Sequence, residues 1–258
     1  MEASVVGSTG GQAKSARYVD HLETYGPHVL EEFLRDCPSP RTILDIGAGS
    51  GRDLDIARSV WGAARQYAVE AYGPYVEALT ARRIDVRQVN IERDRLPFDD
   101  ESLDVIIANQ VMEHLKEVFW VFHEVARSLS VGGSLLVGVP NLVSLHNRVL
   151  SVLGRHASQH KLVSAHVRPF SRKDFELFLD TCFPGGFRVR SFRGSQFYPL
   201  PARPSRIAAR IFPNAAFSVF FHVEKLRKYE GSFLEHPVTA RLETNFFLGH
   251  PVADHPTR

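Results

Sequence analysis

Cysteine is almost absent: Cys37 and Cys182 are the only two in 258 residues. Two cysteines make no disulfide framework and no zinc-ligand spacing, so hydrophobic burial has to hold the fold. Long apolar runs are missing too. The longest, Ser134–Pro140 and Ala215–Phe221, fall well short of the ~20 residues that a membrane-spanning helix needs. The first residues, Met-Glu-Ala-Ser-Val-Val-Gly, lack the basic-then-apolar order of a secretory signal, which points to the cytoplasm. No repeat at 20–50 residues is visible, and no linker separates independent domains. What remains is a globular composition, 44% apolar and 23% charged.

Net charge is also small, at +2, but it conceals an asymmetry. Residues 1–140 carry 14 Lys and Arg against 21 Asp and Glu, whereas residues 141–258 carry 17 against 8. The basic second part suits either a solvated surface or an anionic partner such as a phosphate, a nucleic acid or a membrane surface.

Periodicity predicts the elements. After a Gly- and Ser-rich start, Tyr18, Leu22 and Tyr25 share one helical face, and a second helix follows Pro27 with Val29, Leu30, Phe33 and Leu34 on one side. Short apolar runs at Thr42–Ile46, Gln66–Glu70, Val86–Val89, Leu103–Asn109 and Ser134–Val139 alternate with helical stretches at Arg52–Val60, Tyr75–Arg82 and Leu115–Leu129. That alternation implies right-handed βαβ units and a parallel sheet covered on both faces. Beyond Pro140, a helix is expected over Asn141–Leu153. A His- and Arg-rich loop follows, then a helix capped by Ser171-x-x-Asp174 and a sixth strand at Phe187–Phe192. Residues 195–242 read as an insertion with a turn at Ile207–Phe212. Thr244–Leu248 is the expected closing strand, and Phe217–Val223 competes for the place.

The segment richest in information is Thr42-Ile-Leu-Asp45-Ile-Gly47-Ala48-Gly49-Ser-Gly51-Arg-Asp. A strand enters three alternate glycines and a helix then begins, which lets backbone approach a ligand at a helix N-terminus. A dinucleotide fingerprint would place glycine where Arg52 stands, and a Walker loop would need Gly-Lys-Ser/Thr. Asp45 suits a cationic ligand group better than a pyrophosphate. Glu70, at the end of the second strand, can accept hydrogen bonds from a ribose diol.

Ile43–Asp53, Glu70, Leu96-Pro97-Phe98, Leu103–Asn109 and Glu113-His114 together resemble the class I S-adenosylmethionine-dependent methyltransferases, in particular the small-molecule group called type 11. The resemblance spans roughly Arg41–Asn141. It implies an α/β three-layer sandwich with a mostly parallel, seven-stranded Rossmann-like sheet whose last strand is antiparallel, plus a C-terminal helical cover. It also implies S-adenosyl-L-methionine as cofactor. Gly47, Ala48, Gly49 and Gly51 would pass under its methionine part, Asp45 would help hold its amino end, Glu70 would take its ribose hydroxyls, and the adjoining Ala71 would also contact the cofactor. Asn90 stands where Asp is common and would face the adenine amino group, with Ile91 covering the ring. Asn109, Gln110 and Val111 would line the methionine side, and the N-terminal helix bearing Tyr18 would close the pocket. The division that follows is 1–36 as tail and cofactor-covering helices, 37–194 as methyltransferase core with 141–170 as substrate cover, and 195–258 as insertion and closing strand.

Methyl transfer is an in-line displacement in which the protein mainly aligns the partners in a water-poor pocket. A hydroxyl acceptor also gains from a neutral histidine, and His114 and His166 compete for that base role. Arg148 and Arg168 are the expected grips on a substrate phosphate or carboxylate. His146, His156, His160 and His166 have no metal-ligand register, so no metal is expected. The Asn/Asp-Pro-Pro-aromatic run of enzymes that methylate nucleobase amino groups is absent after the fourth strand, and no cysteine lies near the strand ends for ring-carbon chemistry. The expected acceptor is therefore a small molecule, a sugar or a lipid-linked precursor, not a nucleic acid. The alternatives are a binding module without turnover and an RNA methyltransferase drawing on the basic half. Ile207–Phe221 mixes Arg210 with apolar residues, which suits a buried insertion or contact with a membrane surface.

Overall fold

A computed structural model describes residues 21–161, 163–242 and 246–249. The chain runs α1 (His21–Thr24), α2 (Pro27–Asp36), β1 (Thr42–Ile46), α3 (Arg52–Val60), β2 (Arg65–Glu70), α4 (Gly73–Ala81), β3 (Asp85–Gln88) and β4 (Leu103–Asn109). After a one-turn 3-10 helix at Met112–His114 come α5 (Val118–Ser128), β5 (Leu129–Pro140), α6 (Leu145–Val152), α7 (Arg172–Cys182) and β6 (Phe187–Ser195). The last elements are α8 (Ala202–Ile211), β7 (Ser218–Lys225) and α9 (Ser232–Thr239). One seven-stranded sheet has the order β3-β2-β1-β4-β5-β7-β6. Its first five strands are parallel, and β7 runs antiparallel to both β5 and β6.

The inner strands β1, β4, β5 and β7 are largely apolar and buried because both faces of the sheet are covered there. In β4, Ile106 and Ala108 join a core built with Phe122, Val125, Phe175 and Phe233, while Val105 and Ile107 join Val29, Leu30, Phe33 and Leu34 of α2. In β7, Phe221 enters the first core and its neighbour Phe220 the second. Each fully buried phenylalanine contributes about 2–3 kcal/mol of transfer free energy.

Two expectations are corrected in the C-terminal part. The closing strand is the competing candidate: β7 pairs with β5 from Ser134 to Pro140, inside the stretch read as an insertion. In Thr244–Leu248, residues 244–245 lie outside the described residues and 246–248 form no strand. The Ile207–Phe212 turn is the end of α8, which accepts Pro204 because it falls in the first helical turn, where a backbone N–H has no intrahelical partner.

Two helices also start later than the pattern predicts. At α5, Glu92 Oε1 accepts the backbone N–H groups of Lys116 and Glu117, so the helix begins at Val118 after the 3-10 turn. At α6, Asn141 turns its amide to the carbonyls of Asn214 and Ala216, and Ser144 caps the helix by accepting from Asn147 N–H. The Ser171 cap on α7 forms as expected, with its side chain accepting from Asp174 N–H. No helix among the described residues is long and apolar enough to cross a membrane.

Strand order reverses direction between β1 and β4, the position where open α/β sheets bind ligands outside the carboxyl ends of their strands. The glycine loop leaves β1 there, and Asn109-Gln110-Val111 leaves β4 beside it.

Candidate functional site

Gly47, Gly49 and Gly51 all have positive φ, at 68°, 51° and 81°. Two of them are also pinned by packing. A Cβ on Gly47 would lie 2.6 Å from Val111 Cγ2, and one on Gly51 would lie 2.9 Å from Leu79 Cδ2. Gly49 differs, since its Cβ would meet only the Gly47 carbonyl oxygen at 3.9 Å and otherwise point into open space. The loop is thus anchored at both ends and bare in the middle. Gly47 N–H donates to Val69 O at 2.8 Å, which ties the start of the loop to β2.

Three carboxylates surround this loop. Glu70 accepts Gly49 N–H at Oε2 (2.9 Å) and Ala71 and Tyr72 N–H at Oε1 (2.8 and 2.9 Å). Asp45 is fully enclosed, and its Oδ2 has no hydrogen-bond partner among the described residues. Burial first, then the negative charges of Asp53 and Glu70, hold the Asp45 carboxyl well above the usual carboxylate range. Asp53, one residue into α3, is raised to about 6 by burial, against the hydrogen bond from Asn109 and the charge of Arg52. Asn109 Nδ2 reaches Asp53 Oδ2 at 2.9 Å and Tyr25 O at 3.0 Å, so the end of β4 is fastened both to α3 and to the segment between α1 and α2.

Around the rim, Gln110 adopts a left-handed φ of 58° and donates its N–H to Gly138 O at 2.7 Å. Its side-chain Nε2 is buried without a partner among the described residues. Val111 sits against Gly47. Asn90 is exposed just beyond β3, its Oδ1 accepting Glu92 N–H at 3.1 Å, and Ile91 packs on the main core. The structure therefore brings Asp45, Gly47, Ala48, Gly49, Gly51, Glu70, Ala71, Asn90, Ile91, Asn109, Gln110 and Val111 to one end of the sheet. Tyr18 lies outside the described residues.

His114 and His166 also meet: their ring centroids are 4.8 Å apart and edge-to-face. His114 Nδ1 lies 3.2 Å from Ala165 O, and the N–H groups of Val167 and Arg168 donate to Glu113 O at 2.9 and 3.0 Å. These contacts stitch the cover loop to the 3-10 turn. Burial, followed by the His114 and His160 charges, lowers the His166 pKa and favours its neutral form. Arg168 is engaged elsewhere, its guanidinium donating to the carbonyls of Leu115 and Lys116 and lying over the Phe246 ring. Arg148 donates to Val143 O at 2.7 Å and lines two adjoining clefts of about 680 and 580 Å³.

Two residues were not read as site residues in the sequence. Asp53 looks like an ordinary first-turn acid of α3, and only the contact with Asn109, 56 positions away, draws it in. Glu113 counted only as part of a motif, yet it is buried with both carboxylate oxygens unpartnered among the described residues, and burial raises it to about 8. Its carboxylate and the imidazoles of His114 and His166 place their ligating atoms within 4.8 Å of one another. This cluster differs from the His146, His156, His160 and His166 set weighed in the sequence.

The chain is similar to known methyltransferases. It is 30% identical over 169 residues to a probable S-adenosylmethionine-dependent methyltransferase of Mycolicibacterium smegmatis, covering 63% of this chain and 60% of that protein. It is 30% identical over 128 residues to the probable tRNA methyltransferase 9B of Homo sapiens, covering 48% of this chain and 27% of that one. The chain thus spans less than two thirds of the length of either relative. Among solved structures, a methyltransferase from Thermotoga maritima, described as a possible histamine N-methyltransferase, superposes with a TM-score of 0.56 at 19% identity. That superposition covers 79% of this chain and 91% of the other, and it supports the fold. A family model described as a methyltransferase domain matches residues 18–181, and the chain belongs to that methyltransferase-domain family.

Proposed function

We propose that the chain binds S-adenosyl-L-methionine and transfers its methyl group to a small acceptor. One observation carries this reading: a buried carboxylate, Asp45, with one oxygen unpartnered among the described residues, lies beneath a glycine loop whose middle residue faces open space. An unpaired buried acid is costly, and the ammonium of an amino-acid moiety is the cation that would answer it. Asp45 and Asp53, the latter held by Asn109, would take the amino end. Glu70 would take the ribose, since among the described residues Oε2 receives just Gly49 N–H and keeps a lone pair for a hydroxyl. Gly47, Ala48, Gly49 and Gly51 would lie along the chain of the cofactor, Gln110 and Val111 on its methionine side, and Ala71, Asn90 and Ile91 towards the adenine.

The cofactor supplies a sulfonium-bound methyl group and its own leaving group. The protein's share is alignment and exclusion of water. His166, neutral near pH 7, or its neighbour His114 would take the proton from an acceptor hydroxyl. The acceptor we favour is anionic or lipid-linked. Residues 141–170 and 195–217 contain seven Lys and Arg and no Asp or Glu. On the same segments Val152, Leu153, Ile207, Ile211 and Phe212 are 61–88% exposed. Basic and apolar groups together suit a lipid headgroup surface.

Calorimetry with S-adenosylmethionine, S-adenosylhomocysteine and NAD tests the first claim. The native chain is expected to bind the first two and not NAD, and Gly49→Val and Glu70→Ala to lose at least about tenfold. Binding of NAD with no sulfonium or homocysteine binding would overturn it. Flotation with vesicles containing anionic lipid, set against zwitterionic vesicles and against RNA retention at two salt concentrations, tests the acceptor. Steeply salt-dependent RNA retention without vesicle binding would favour an RNA acceptor instead.

A further inference from the structure

A base role for one imidazole leaves Glu113 unexplained. The residue is 1% exposed, and neither carboxylate oxygen meets a donor among the described residues. His166 Nδ1 is likewise buried and unpartnered there. The His114 ring is oriented by a main-chain carbonyl: Nδ1 lies 3.2 Å from Ala165 O, which leaves Nε2 bare and 3.8 Å from Glu113 Oε1. A carbonyl fixing one ring nitrogen so that the other presents its lone pair is the usual outer contact of a metal-ligating histidine.

We propose that Glu113, His114 and His166 form a binding site for a divalent transition-metal ion of the zinc, cobalt and manganese class. Two imidazoles and one carboxylate suit such borderline ions, whereas calcium and magnesium prefer all-oxygen sets. The three ligating atoms lie within 4.8 Å of one another. Ligands of a tetrahedral ion at bonds of about 2.1 Å sit roughly 3.4 Å apart, so closure needs side-chain shifts of about 1 Å. The ion would give the buried Glu113 carboxylate, through one of its oxygens, the partner that it lacks among the described residues. Three protein ligands leave a coordination position open. The cluster begins two residues after Val111, which packs on Gly47 of the glycine loop, and on this proposal the open position would face that loop. There the ion would bind an acceptor oxygen and lower its pKa, replacing the imidazole base. That role rests on the methyl-transfer reading; the binding itself does not.

The test uses the full chain, stripped with a chelator and titrated with Co2+, followed by the visible ligand-field absorption, with Zn2+ as competitor. One Co2+ per chain, displaced by Zn2+, is expected. Glu113→Gln, His114→Ala and His166→Ala should each weaken it by at least about tenfold, the scale that even outer contacts reach. His156→Ala should leave it unchanged. S-adenosylhomocysteine affinity, measured in parallel, should survive in all four variants, which separates a failed metal site from a failed cofactor site. For the unaltered chain, Mn2+ should broaden the imidazole proton resonances of His114 and His166 before those of His156, so the test stands even if a variant misfolds. Absence of Co2+ and Zn2+ binding, binding that survives all three substitutions, or broadening confined to His156 would each overturn the site.

Discussion

Lowering the pH from 7 to 5 should weaken S-adenosylhomocysteine binding by at least about tenfold. Asp53 has its pKa raised to about 6, chiefly by burial. A ligand ammonium is stabilised by the ionised carboxylate, so binding must draw on the deprotonated fraction. For a pKa near 6 that fraction is about 0.9 at pH 7 and about 0.09 at pH 5, a tenfold loss or about 1.4 kcal/mol. The sign follows from proton counting: the free protein holds more protons than the complex, so affinity rises with pH through this window. The ligand's own α-amino group, with a pKa near 8, stays cationic throughout and adds no slope. Asp45, buried and shifted in the same direction, adds proton release on binding at neutral pH. Calorimetry in two buffers of different ionisation enthalpy measures both the affinity and the protons released. Asp53→Asn should make the profile shallower by removing the Asp53 share of the slope. Methylthioadenosine, which has the adenosyl thioether without the ammonium, should bind independently of pH. A flat profile for the native chain, or tighter binding at pH 5, would refute the assignment of these acids to the amino end.

Three further outcomes are expected. Gly47→Ala should cost about 1–2 kcal/mol for the left-handed backbone alone, plus a clash with Val111; adding Val111→Ala should recover the clash and not the strain, as a double-mutant cycle in thermal unfolding would show. Gly138→Ala would put a Cβ 2.2 Å from Asn109 Oδ1 and 2.5 Å from the Phe220 ring, so calorimetry should find S-adenosylhomocysteine affinity reduced as Asn109 leaves Asp53. Glu124→Ala would strip the buried Arg127 of its closest partner and free Leu96 N–H, which Glu124 accepts at 2.7 Å. Leaving a buried charge so exposed costs about 3 kcal/mol, or roughly 6–12 °C in Tm; a shift under about 2 °C would mean that Asp100 alone compensates.

The parts of this molecule that could be read from the sequence are those fixed by local pattern. Thr42–Ile46 and Leu103–Asn109 are strands with the expected limits because each is a short apolar run closed by loop residues, and both faces of each run are buried. The Ser171 cap and the glycine loop are equally local. The closing strand shows where pattern stops deciding. Phe217–Val223 and Thr244–Leu248 both read as strand, and what selects the former is antiparallel pairing with β5, more than 70 positions away. The acids of the site divide in the same manner. Glu70 and Asp45 announce themselves because strand ends and the residue before a glycine loop are places where ligands bind. Asp53 and Glu113 sit on short helical turns, where an acid is ordinarily solvated. Their burial comes from distant chain: Asn109 folding over α3 in one case, the His114–His166 contact and the cover loop in the other. Both have their pKa raised chiefly by burial. The electrostatics that would bind a cation in each pocket therefore arise from the tertiary fold, so loosening the cover at Ala165 or the Asn109 bridge should return these acids towards ordinary carboxylates before any ligating residue is changed.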